Sequence, residues 1–181
     1  MRFAFNERKS AQAAARLIHR HGGAMSYMAL IKLLYLADRR CLVEAGAPIT
    51  GDLMVSMPYG PVLSRIYERI TWGAENQASP WFDYISEPEH YAVRALITDT
   101  DELSRYELRV LDETHETFGS MDRWALVRYT HTLPEWRDPQ GSSLAIDPVE
   151  ILRAEGISAE EIRLRLGESE AAFVIDQLAK R

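Results

Sequence analysis

The chain holds a single cysteine, Cys41, among 181 residues, which excludes an internal disulfide framework and fits a reducing compartment. No apolar run approaches the ~20 residues that a bilayer-spanning helix needs. The opening Met1-Arg2-Phe3-Ala4-Phe5-Asn6 also lacks the apolar centre of a secretory signal. These absences together predict a cytoplasmic protein with no membrane partner. Basic side chains are outnumbered, 21 Lys and Arg against 27 Asp and Glu, for a net charge of −6. A general nucleic-acid binder needs a basic surface to displace counterions, so this balance argues against DNA or RNA as the partner. Catalytic signatures are missing as well: there is no Walker A loop, nucleophile elbow, zinc-type cysteine pair or HExxH. The five histidines follow no ligand spacing, and His19 and His21, two apart on a helix, point to different sides. The reading is therefore a protein with no catalytic residue, no metal ligand and no cofactor.

What is present is an ordinary globular composition, 46% apolar and 27% charged, enough for one domain with a real core. Asn6 can cap a first helix with Ala11, Ala14, Ala15 and Ile18 on one face, ending at Gly22-Gly23. Ser26 can cap a second helix from Tyr27 to about Val43, apolar on almost every side and so expected at the centre of the fold. Leu53–Met57, Trp81–Ser86 and His90–Ile97 read as strands that could join in a small three-stranded antiparallel sheet. Pro61 fits the first turn of a third helix. Ser104 with Glu107 makes a capping box ahead of a helix that Gly119 ends, and Ser120 opens the next. Asp147-Pro148 and Ser158 with Glu161 are further helix starts, with Gly156 and Gly167 as stops. The fold class predicted is mainly α (α+β): one compact helical domain with a small antiparallel sheet of about three strands.

Two features invite a chemical reading. Asp38 falls on the side of Ile31, Leu34, Cys41 and Leu42, where an ionised carboxylate needs several donors. It reads as a structural anchor, with the loop at Tyr59–Val62 or His131 as leading partners. His115, sharing a face with Leu108 and Phe118, reads as a core histidine. The acidic stretch 98–122 holds eight Asp and Glu against Arg105 and Arg109 and reads as a solvated helix face, with docking of a basic partner as the sharper alternative.

Three blocks then stand in order: Lys32-Leu33-Leu34-Tyr35-Leu36-Ala37-Asp38; Gly46, Pro48, Ile49 and Asp52 leading into Tyr59-Gly60-Pro61-Val62; and Leu126 with Thr130-His131, Pro134 and Trp136. This pattern resembles the SocA-like antitoxins of the Panacea domain. The resemblance marks Lys32, Tyr35, Asp38, Gly46, Pro48, Asp52, Tyr59, Gly60, Pro61, Thr130, His131 and Trp136 as structural motif positions. The family's usual Thr-His…Pro-Trp ending is here interrupted by Glu135. It implies a bacterial or phage-borne antitoxin that binds and neutralises a cognate protein toxin. The founding member of the family presents its toxin to the ClpXP protease, so an adaptor role with ClpX as second partner is a separate expectation. Residues 1–136 would form the Panacea-like domain and 137–181 a C-terminal helical extension packed on or next to it. That extension would either serve the partner or protease or simply cover the core. Trp72, Trp81, Phe82 and Tyr84 are the candidate toxin contacts, expected to be exposed around the sheet and helix ends. Two alternatives stand beside this reading: an enzyme built on Asp38, His115 and His131, and a DNA-binding autorepressor, which the acidity opposes.

Overall fold

The computed structural model describes residues 1–73 and 79–179. Its organising element is α2 (Tyr27–Ala45), whose side chains from Ala29 to Asp38 are all buried. A helix apolar on every side has no face to give to water, so other elements must surround it. Helices α1 (Glu7–Arg20), α5 (Arg105–Phe118), α6 (Arg123–Thr130) and α7 (Pro148–Ala154) make most of this packing. Half of the buried residues of α1 are alanines, Ala11, Ala13, Ala14 and Ala15, and these small side chains let its backbone approach its neighbours closely. Asn6 caps α1 by accepting from the Lys9 N–H at 3.0 Å, and Ser104 and Glu107 close a reciprocal capping box on α5. Ser26 occupies the cap position of α2 without a cap bond, and its hydroxyl is buried and unpartnered. Gly46, in the left-handed region at φ 80°, turns the chain out of α2 and returns its N–H to the Leu42 carbonyl.

The protein is thus mainly helical with small antiparallel sheets, but the strands are not all where the sequence pattern put them. β2 (Met54–Met57) pairs with β3 (Gly60–Leu63) through a two-residue turn, and β5 (Leu144–Ala145) lies on its other side. Pro61 is therefore in an edge strand, where a missing N–H is tolerated, and not in a helix. The helix after it, α3 (Ser64–Trp72), begins three residues later. The Trp81–Ser86 stretch begins as a helical turn, α4 (Trp81–Tyr84): Pro80 is αR, and the Ser79 hydroxyl accepts from the Trp81 N–H. Of the expected strand 90–97 only β4 (Ala92–Arg94) forms, and it pairs with β1 (Ala24–Ser26) just after the Gly22-Gly23 turn. Alternation of apolar residues thus signalled extended chain without naming its neighbour. Asp122, not Ser120, caps α6, accepting from the Trp124 and Ala125 N–H groups. Gly167 does not stop a helix: it lies inside α8 (Ala159–Ala179).

Residues beyond 137 join the same core. β5 extends the β2–β3 sheet, Val149, Ile151 and Leu152 of α7 are buried, and Arg165 of α8 donates to the Leu42 and Val43 carbonyls at the end of α2.

Candidate functional site

Four polar side chains on the buried α2 locate the junctions that shape the surface. Asp38, with no exposed surface, accepts from the Ile49 N–H (3.0 Å), the Thr50 N–H (3.1 Å) and the Thr50 hydroxyl. Its partners are therefore the 46–52 loop, not the Tyr59–Val62 loop or His131. Burial raises its pKa to about 7, against the pull of the three donors. Asp52, at the end of that loop, repeats the device. Its carboxylate accepts from Leu53 (2.7 Å), Arg65 (3.3 Å) and Ile66 (3.0 Å), so it caps α3 from a distance in sequence. Tyr35 and Arg39, one turn apart, both donate to Glu135, at 2.8 Å and 2.7 Å, and Arg39 continues to Glu155 at 2.6 Å. Glu135, which the sequence pattern marked only as an interruption, is fully enclosed and ties the segment after α6 to the central helix. The spacing of Tyr35 and Arg39 was the available sign of a shared acidic acceptor.

Lys32 is the fourth. It is 1% exposed, and its ammonium donates to the Pro61 carbonyl at 2.8 Å. Among the described residues no carboxylate lies within ion-pair distance of it. Burial depresses its pKa to about 7. Gly60, at φ 92°, is what lets it sit there: a Cβ at that position would come within 2.6 Å of the Thr130 hydroxyl, 3.1 Å of the Lys32 Nζ and 3.2 Å of His131. Thr130 is fixed in turn by its own bond to the Leu126 carbonyl. The His131 ring stacks on Trp136 with centroids 3.9 Å apart, and the Trp136 indole donates to the Met57 carbonyl at 3.2 Å. The His131 Nε2 is buried without a partner, and burial together with the Lys32 charge holds its pKa down.

Over this junction opens a groove of about 620 Å³. Lys32, Met28 and Ile31 line it from α2, Met57 to Gly60 from the hairpin, Tyr67, Glu68 and Trp72 from α3, and 141–143 from the loop before β5. Its volume falls in the range of ligand-sized clefts. At its rim Tyr59 meets Trp124 edge to face at 5.9 Å, and Arg123 lies over the Trp124 ring at 5.6 Å.

Residues 30–137, more than half of the chain, match the family described as antitoxin SocA-like, Panacea domain. The chain belongs to the SocA-like antitoxins. Comparison with curated proteins and with solved structures gave no match. The matched segment of this SocA-like protein runs from α2 through the β2–β3 hairpin to α6 and the Trp136 stack, and so contains each of the four junctions above. Among the described residues no helix is long and apolar enough to cross a membrane.

The four expected contact residues separate. Trp72 is 72% exposed at the groove, but Trp81 is 1% exposed and Tyr84 is buried, so neither presents a surface to a partner. Phe82 is half-buried against the core. The reason is the helical turn at 81–84, which rolls the Trp81 and Tyr84 side chains inward, where an extended strand would have exposed alternate ones. Tyr59 and Trp124, exposed and at the groove rim, were missed because each sits inside or beside a motif read as core. His115 is not in the core either: it is half-buried at the surface beside His21, ring nitrogens 3.4 Å apart. Asp38, His115 and His131 thus each have separate partners.

Proposed function

We propose that this SocA-like protein neutralises a cognate protein toxin by binding it directly, as a scaffold rather than a catalyst. The family match over residues 30–137 carries the reading. The engagement of the motif residues supports it. Asp38, Asp52, Tyr35 and Thr130 spend their hydrogen-bonding capacity on the protein's own backbone and side chains. What they hold up is a surface with exposed Trp72, Tyr59 and Trp124, the side-chain types that anchor protein interfaces. The finer version of the proposal is an adaptor that hands the bound toxin to ClpXP in the bacterial cytoplasm.

Co-expression with a candidate toxin tests both levels. Restored growth accompanied by a co-purifying complex is the expected result. Restored growth that disappears in cells lacking ClpP selects the adaptor version. Growth restored with the toxin left unbound and covalently altered overturns the proposal.

A further inference from the structure

We propose that the groove above Lys32 takes a carboxylate side chain, Asp or Glu, carried by an extended apolar segment of the partner protein. This rests on the toxin-binding reading and names the chemistry of the contact.

The first observation is the unbalanced ammonium. Lys32 Nζ can donate three hydrogen bonds, and the structure gives it one, to the Pro61 carbonyl. Charged side chains with so little exposure are ordinarily paired, because removing an ion from water costs several kcal/mol after relaxation. Arg39, an enclosed cation on the same helix, has two carboxylates, Glu135 and Glu155. Lys32 has none among the described residues, yet it lines an open groove. A carboxylate entering there would supply both the missing charge and acceptors for the remaining N–H groups. Burial depresses the Lys32 pKa, and a carboxylate arriving there would restore the charged form.

The second observation is what surrounds the ammonium. Tyr27, Met28, Ile31, Val55, Val62 and Tyr67 make the lining mainly apolar, which suits hydrophobic side chains flanking one acid. Glu68 is the acidic side chain of the lining and does not reach Lys32, so it would repel a run of acids while tolerating a single one. Arg123 at the Tyr59–Trp124 rim adds positive charge outside the groove in a protein of net charge −6. Ser142 and Ser143 offer hydroxyls to a passing backbone. A second copy of the chain is the competing occupant.

Random dodecapeptides displayed on phage, selected on immobilised full-length protein, are the probe. Wild type is expected to enrich peptides with one Asp or Glu between apolar residues. The best synthetic peptide should lose about thirtyfold or more in affinity when its acid is changed to the amide, and similarly on Lys32→Met protein. Trp72→Ala, at an exposed position, should weaken the same peptide without changing the thermal midpoint, which keeps the test valid should Lys32→Met fold poorly. Enrichment without an acid, equal binding by the amide peptide, no enrichment, or self-association blocked by Trp72→Ala would each overturn the proposal. The toxin co-expression assay needs no peptide, so the two readings fail separately.

Discussion

Asp38 holds the 46–52 loop with three donors converging on one buried carboxylate. Asp38→Ala leaves those donors unpaired, and denaturant titration should show a loss of roughly 1–3 kcal/mol with an unchanged m-value. Glu135→Ala should cost about 3 kcal/mol, since it leaves the buried Tyr35 hydroxyl unpaired and takes from the enclosed Arg39 one of its two carboxylates, leaving Glu155. Lys32 behaves in the opposite sense. Its pKa is about 7 in the folded protein against 10.5 in the open chain. Between these values the unfolded chain binds the extra proton, so stability rises with pH across that window and the penalty is full below it. Lys32→Met should remove this slope, about 1.4 kcal/mol per pH unit, and be the more stable protein at pH 6. Removing the Lys32 charge also lets the His131 pKa rise toward its usual value, which changes the profile below the window in which the Lys32 slope is read. Parallel stability profiles for the two proteins would show that Lys32 keeps its charge in the folded protein, and would contradict the depressed pKa.

Helices were legible wherever caps and periodicity agreed, as in α1 behind Asn6, α5 behind Ser104 and α7 behind Asp147. Strand pairing was not legible, because alternation in 53–57 and 90–97 fixes which residues face inward and says nothing of the neighbour. β5, with only two residues of pairing, carries no strand signal of its own. At the site, Gly60, Thr130 and His131 were visible as a pattern, but the reason for it, one close approach between a hairpin and the end of α6, exists only in space. The 81–84 turn makes a direct check. Trp81→Ala should lose roughly 3–5 kcal/mol through the cavity left in the core, whereas Trp72→Ala on α3 should leave stability within about 0.5 kcal/mol. Equal losses from both would place Trp72 inside as well.

The chain beyond 137 is bound into the fold through β5, α7 and Arg165, yet the outer part of α8 is different: Leu164, Val174, Ile175 and Leu178 are exposed on it. We therefore expect two truncations to diverge. Ending the chain after Ile146 removes the buried Val149, Ile151 and Leu152 and should abolish cooperative unfolding. Ending it after Ser169, the last buried residue of α8, should leave the thermal midpoint within a few degrees. A folded protein truncated after Ile146 would mark residues 147–181 as a separate appendage. The claim on which everything else rests is that neutralisation is binding. Native mass spectrometry of the purified protein mixed with the toxin it suppresses tests this most directly. A non-covalent complex of fixed stoichiometry, with both chains at unaltered mass, is the predicted result; toxin inactivated by a trace of this protein, uncomplexed and changed in mass, would contradict it.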